Sequence, residues 1–199
     1  MGPGYGTDAL QFLIGILIDL YALVVVLRFL LQAVRANYFN PLAQFVVRAT
    51  KPVLDPVRRV LPPAGPYDLA ALLVAVLLMA LKIGLFRLLS IDSVVIGGYA
   101  VGIAHVWVGS LAWLALVDLL TLFINVWFFA VLILAILSWI APAGYNPVAE
   151  VLQRITDPIL RPVRSVIPLV GGIDLSPLVV LIGLQVLKML LIRPLLAIA

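Results

Sequence analysis

The chain has 199 residues, of which 65% are hydrophobic and 11% charged, with a net charge of +4 and a mean hydropathy of +1.25. A soluble domain is about 45–50% apolar and about 25% charged, and a globule of this size has too little interior to hide the excess. The absence of cysteine excludes disulfides, thiolate metal sites and a cysteine nucleophile, and the lone histidine, His105, excludes a zinc site built on several histidines.

The first element is an apolar run, Ala9–Val34, interrupted by Gln11, Asp19, Arg28 and Gln32. At about 1.5 Å per helical residue, some twenty such residues cross a hydrocarbon core of about 30 Å. The run is too long for a cleaved signal peptide, and Met1–Asp8 carries no lysine or arginine. Asp68–Leu89 reads as a second span, Leu119–Ile140 as a third and Leu175–Ala197 as the last. Ile91–Asp118 is apolar but holds Asp92, His105, Asp118 and four glycines, at 97, 98, 102 and 109. Gly98 and Gly102 have the spacing that lets helix backbones approach closely.

A shift of 106 residues aligns Asn40–Pro62 with Asn146–Pro168 without a gap. Asn40, Pro41, Arg48, Thr50, Pro52, Pro56, Arg58 and Pro62 all recur at the shifted position. The same shift matches Asp68 with Asp174, Lys82 with Lys188 and Arg87 with Arg193. The chain is therefore a tandem duplication, each half a span, a basic loop and a span. The expected fold is all-α: about four full spans plus amphipathic interfacial helices. The expected units are 1–90, a connector 91–118, and 119–199.

Each loop begins with an asparagine able to cap a helix whose first residue is proline, where a missing N–H costs nothing. Leu42, Phe45, Val46 and Ala49 form one apolar stripe, and Val148, Val151, Leu152 and Ile155 another. Gln44 and Arg48, or Glu150, Gln153 and Arg154, face away. Pro52 and Pro158 are expected to stop these helices, leaving a short turn with Arg58 and Arg59, or Arg164. Such helices suit the membrane plane, with packing against the bundle as a compatible alternative.

Charge sets the orientation. Arg35–Pro66 contains Arg35, Arg48, Lys51, Arg58 and Arg59, and Ala141–Ile173 contains Arg154, Arg161 and Arg164; Ser90–Asp118 has no basic residue. Excess lysine and arginine mark the cytoplasmic side, so both loops are expected inside and both chain ends outside. The duplication is then parallel, and Ile91–Asp118 must cross zero or two times. It is read as re-entrant, lying at the outer interface, or extending the third span outward. The basic residues Arg48, Lys51, Arg58, Arg59, Arg154, Arg161 and Arg164 are the candidates for binding anionic lipid or a partner.

Ionisable residues inside spans are the other candidates, because burying a charge unpaired is costly. Arg28 lies about 9 Å from the inner end of its span, within snorkelling reach. Asp19 and Lys82 lie at similar depth, about 13 and 10 Å from the outer end, and are expected to pair. Lys188 repeats Lys82, but Asn125 stands where the first half has Asp19, so Asp118 is offered as an alternative partner of Lys188. Asp19, Lys82, Asp118 and Lys188 are thus a structural pairing system or an ion pathway. Serines, His105 and aspartates lack the GxSxG context of a hydrolase, and one histidine without a CxxCH motif is no haem site, so neither enzyme activity nor a cofactor is expected.

The doubled Asn-Pro, Arg-x-Thr-x-Pro, Pro-x-Arg block, followed by an Asp-Leu span start, resembles the YggT family, also called YlmG-like, over nearly the whole chain. The resemblance implies a bacterial inner-membrane protein. It brings associations with osmotic-stress tolerance and cation uptake, with cell-division or envelope organisation and, in plastid relatives, with assembly of a haem-bearing cytochrome complex. It supplies no catalytic residue. Two functions stay open: a scaffold or assembly factor, and an oligomeric transporter or channel component. Expected partners are anionic lipids and membrane proteins or further copies of the chain, and no nucleic acid.

Overall fold

The computed structural model describes residues 5–140, 146–167 and 174–198. In chain order the elements are α1 (Tyr5–Ala33), α2 (Pro41–Val60), α3 (Leu69–Leu88), β1 (Ser93–Ile96), β2 (Tyr99–Gly102), α4 (Val108–Ile140), α5 (Pro147–Arg164) and α6 (Ser176–Leu196). Helices α1, α3, α4 and α6 are long and apolar enough to cross a membrane. Each is apolar nearly all round, so leucines and isoleucines such as Leu17, Leu77 and Ile182 remain exposed on their outer faces. The fold is the expected all-α membrane architecture, with one small hairpin added.

The spans pack in series, α1 on α3, α3 on α4 and α4 on α6. Between α3 and α4 the chain does not cross. Ser93–Ile96 pairs antiparallel with Tyr99–Gly102, turning through Gly97 and Gly98 at φ +65° and +94°. Both turn residues have φ > 0, as tight hairpin turns require. A Cβ at Gly97 would also lie 2.8 Å from the Ile192 side chain. Gly98 and Gly102 therefore serve a hairpin and not the helix packing that their spacing suggested. Helix α4 begins at Val108, eleven residues before the expected start of the third span. Of the three readings of Ile91–Asp118, its second part extends the span, and its first part is the hairpin.

Three hydrogen bonds gather the ends of the spans around that hairpin. Gln11 Nε2 donates to Ser93 O (3.0 Å), Arg87 Nη1 to Val106 O (2.7 Å) and Trp113 Nε1 to Leu195 O (2.8 Å). The starts of α1 and α4 and the ends of α3 and α6 share one end of the bundle, so the two halves run in the same direction. Helices α2 and α5 lie together at the opposite, loop end.

Prolines do not end α2 or α5. The helices continue through Pro52 and Pro56, and through Pro158 and Pro162. Spaced four apart, each pair lies on one exposed face, where the carbonyls deprived of an N–H donor can be solvated. On the inner face Thr50 Oγ1 donates to Val46 O (2.8 Å) and Thr156 Oγ1 to Leu152 O (2.9 Å), bridging the turn before each proline. The longer helix also rotates the buried stripe. In α2 it is Ala43, Val46, Thr50 and Leu54, with Phe45 exposed and Leu42 and Ala49 only half-buried. In α5 Val151, Leu152 and Ile155 are buried as expected, joined by Thr156 and Leu160, but Val148 is exposed.

Asn40 and Asn146 cap these helices. Asn40 Oδ1 accepts from the Leu42 N–H (2.9 Å), and Asn146 Oδ1 accepts from Val148 (2.9 Å) and Ala149 (3.3 Å). Among the described residues only Asn40, which is buried, does more. Its Nδ2 donates to Pro147 O (2.8 Å) and to Glu150 Oε2 (3.0 Å), tying the first turn of α5 to the start of α2. Asn146→Ala should therefore cost about 1 kcal/mol, the loss of a cap. Asn40→Ala should cost clearly more, because it also removes the two hydrogen bonds to Pro147 and Glu150, each worth about 1 kcal/mol. Thermal unfolding of the two variants in the same detergent checks the difference; equal losses would mean that the bond between repeats contributes nothing.

Candidate functional site

Lys82, Asp19 and Asp118 come together from three spans. Lys82, on α3, is 4% exposed, and its Nζ donates to Asp19 Oδ1 on α1 at 2.6 Å. The same Nζ lies 2.6 Å from Asp118 Oδ2 on α4. Asp118 is the buried carboxylate of the two; the Asp19 side chain is 47% exposed. The expected Asp19–Lys82 contact is present. The offered Asp118–Lys188 contact is not: Lys188 Nζ donates instead to Asn125 Oδ1 at 3.0 Å. Asp118 faces Lys82 because α4 starts early, which puts this carboxylate about 15 Å along the helix and beside α3. The Asn125–Lys188 bond is the repeat of Asp19–Lys82, with a neutral acceptor where the first half has a charged one.

Beside this cluster runs a groove of about 800 Å³ between α1 and α4. Asp8, Gln11 and Val94 line its hairpin end, Asp19, Lys82 and Asn125 its middle, and Leu27 and Leu152 its loop end. The walls are apolar apart from these groups, so the carboxylates of Asp8, at the hairpin end, and Asp19, at mid-depth, are the charged features open to anything entering. No group of three or more His, Asp or Glu side chains placed to hold a metal ion occurs among the described residues.

At the loop end the seven basic candidates divide. Arg58 is ion-paired with Asp68, a fully buried carboxylate that also accepts from the Ala71 N–H at the start of α3. Arg164 Nε donates to Asp174 Oδ2 at 2.9 Å, repeating the tie in the second half. Asp174 accepts from the Ser176 N–H as well. Partial burial works against ionisation of Asp174, but the bonds from Ser176 and the Arg164 guanidinium prevail and hold the carboxyl below its ordinary value. Arg58 and Arg164 thus fasten each amphipathic helix to the next span. Arg161 lies 3.6 Å from Asp157 but is 83% exposed, so that contact binds it little. Arg48, Lys51, Arg59 and Arg154 are exposed. Sequence reasoning missed the arginine–aspartate ties, although the ten-residue interval from Arg58 to Asp68 recurs unchanged from Arg164 to Asp174.

The CCB3/YggT family profile matches residues 7–89 and again 113–195. A protein of Pseudomonas aeruginosa described as uncharacterized is 42% identical over 98% of this chain and 93% of its own length. An uncharacterized protein of Vibrio alginolyticus is 40% identical over 89% of this chain and 90% of its own. The uncharacterized protein YggT of Escherichia coli K12 is 37% identical over 92% and 88% respectively. No solved structure matches the chain.

The geometry ranks the intramembrane substitutions. Lys82→Met leaves two carboxylates without a cation and should be the most damaging, at about 3–5 kcal/mol. Asp118→Asn should cost more than Asp19→Asn, because Asp118 is buried, and the Lys82→Met/Asp118→Asn double variant should recover part of the loss. Thermal unfolding in detergent reads the order; additive losses in the double variant would show that the two groups do not interact. For Asp174 the sign follows from its depressed pKa. Its contribution is present above the ordinary value of 3.8 and is lost as pH falls through the lower folded value. The stability gap between the wild type and Asp174→Asn should close in that acid range, and a gap that persists there would contradict the assignment.

Proposed function

Since the chain belongs to the CCB3/YggT family, we propose that it acts as a non-enzymatic membrane scaffold or assembly factor in envelope organisation or stress tolerance. It would sit in the bacterial inner membrane with its basic loops in the cytoplasm. The observation that carries this reading is the pair of amphipathic helices, α2 and α5, packed at one end of the bundle with Arg48, Lys51, Arg59, Arg154 and Arg161 outward. Two helices tied to each other through Asn40 form one platform, and a basic platform at headgroup level attracts anionic lipid by about 1 kcal/mol per residue. A platform held by buried bonds presents a fixed surface, which suits docking of lipids, membrane proteins or another copy of the chain.

The half-exposed Asp19 in the groove between α1 and α4 favours a second reading, an oligomeric transporter or channel component. In that reading the charge cluster is part of a path, and the groove is closed by a neighbouring subunit. The first reading treats the cluster as a fastening. One preparation separates them. Wild-type protein in liposomes of equal parts phosphatidylglycerol and phosphatidylcholine should move no cation above empty liposomes. In pull-down from detergent it should retain phosphatidylglycerol over phosphatidylcholine, in a salt-sensitive manner. Replacing Arg48, Lys51, Arg59, Arg154 and Arg161 by glutamine should weaken that selectivity and its dependence on salt. Cation flux abolished by Asp19→Asn would favour the transporter. The orientation has its own test: single cysteines at 64 and 104 in this cysteine-free chain should label oppositely in intact cells, 104 accessible to an impermeant reagent and 64 protected.

A further inference from the structure

The loop end of α1 carries a second feature that the platform does not use. Helix α1 closes with Arg35 N–H donating to Gln32 O (3.1 Å) and Ala36 N–H to Leu31 O (2.9 Å), an arrangement that puts Arg35 in the left-handed region at φ +50°. Glycine takes that position at least cost; an arginine there is mildly strained, and its side chain projects past the helix end. Gln32, Arg35, Ala36 and Tyr38 line a cavity of about 460 Å³, closed on the other side by Gly65 and Pro66. Gly65, at φ +61°, sits at the tip of the turn closed by reciprocal hydrogen bonds between Ala64 and Tyr67.

The charge around this cavity is unbalanced. Arg28 lies on the same face of α1 as Gln32 and Arg35, at intervals of four and seven residues. It is buried, and it is close enough to Arg58, Tyr38, Asp68 and Asp55 to interact with them electrostatically. Asp68 already holds Arg58. The buried Nε atoms of Arg28 and Arg58 have no hydrogen-bond partner among the described residues. Neither atom opens on the cavity; the groups that line it, the Arg35 guanidinium, the Gln32 amide and the Tyr38 phenol, are a set that recognises a phosphate, with the buried charge of Arg28 behind them.

The duplication supplies an internal control. At the shifted positions the second half has Leu134 for Arg28, Ser138 for Gln32, Ala141 for Arg35 and Gly144 for Tyr38. The caps, the threonines and the arginine–aspartate ties occur in both halves, so the fold of a repeat needs those and does not need this cationic set. Exposed Tyr38, Phe39 and Tyr67 lie at the same level. Aromatic side chains of this kind collect at the headgroup boundary of a membrane.

We propose that the end of α1 and the turn between α2 and α3 form a binding site for a phosphate group, with Arg35, Gln32 and Tyr38 as its contacts and Arg28 as buried charge behind them. The aromatic level favours a phospholipid headgroup as the source, and a soluble phosphate is the other source with the same chemistry. The site is separate from the outward residues of α2 and α5, so its failure would leave the scaffold reading standing.

The test uses the full-length protein in a neutral maltoside detergent. Thermal stability is titrated with phosphatidylglycerol in mixed micelles, with phosphatidylcholine, and separately with inorganic phosphate. Wild type should be stabilised saturably by phosphatidylglycerol and not by phosphatidylcholine. Arg35→Gly relieves the backbone strain, so the variant should fold with unchanged or slightly higher stability without lipid, yet bind phosphatidylglycerol about tenfold more weakly. Gln32→Met should weaken binding less, and Arg48→Gln/Lys51→Gln should leave the saturable phase intact. An Arg35-dependent shift produced by inorganic phosphate as well would assign the site to phosphate in general; one produced by lipid alone would assign it to the headgroup. Binding unchanged in Arg35→Gly, or weakened equally by Arg48→Gln/Lys51→Gln, would overturn the proposal.

Discussion

A buried ammonium in the middle of a membrane bundle must be matched, and the arrangement of the spans follows from how Lys82 is matched. Its two carboxylates come from opposite halves of the chain, Asp19 on α1 and Asp118 on α4. The first contact closes a repeat on itself. The second joins the repeats. Hydrocarbon offers no hydrophobic drive between helices, so packing and polar contacts must hold spans together, and the ion pair between α3 and α4 is one such contact between the halves. The second half shows what the same position does without that duty: Lys188 meets the neutral Asn125, inside its own repeat. Phe12 stands at the first-half equivalent of Asp118. The duplication has lost its symmetry where the two halves meet.

The loop end is held by other means. Arginine–aspartate ties fasten each amphipathic helix to the following span, and Asn40 links the two helices to each other. Prolines on the exposed faces let α2 and α5 continue because the carbonyls they orphan are not buried. The result is a platform whose inner face is apolar, whose tie residues are neutralised and whose remaining arginines and lysine point outward. Charge is thus divided by position: Lys82, Asp118 and Asp68 are buried and ion-paired, while Arg48, Lys51, Arg59 and Arg154 are exposed.

Much of this was legible in the sequence, for physical reasons that differ from residue to residue. The spans could be read because hydrocarbon thickness fixes their length. The asparagine caps could be read because Asn-Pro at a helix start leaves little choice of conformation, and the 106-residue repeat gave the chain its own second copy. Asp19 and Lys82 could be paired from depth alone. Asp118 could not, because its partner depends on where α4 begins, and that start lies in an apolar stretch with no cap to announce it. The hairpin had a signal, Gly97-Gly98 between Val94-Val95-Ile96 and Tyr99, but the GxxxG spacing of Gly98 and Gly102 competed with it. Proline as a helix stop failed at Pro52 and Pro158 because the steric bias against helix before proline is a preference and not a bar, and the carbonyls left without a donor lie on an exposed face. The arginine–aspartate ties were visible only as a repeated interval, whose meaning needed the fold.

The claim on which the rest depends is that Asp118 and Lys82 hold the halves together. The direct measurement is association of the halves when the chain is divided in its exposed connector, between Ala104 and His105. Fragments 1–104 and 105–199, expressed together in the same membranes with a tag on one, should co-purify. Asp118→Asn should sharply reduce recovery of the untagged fragment, and Lys188→Met, whose contact lies within one fragment, should leave it unchanged. Equal recovery with Asp118→Asn and the wild type would contradict the account.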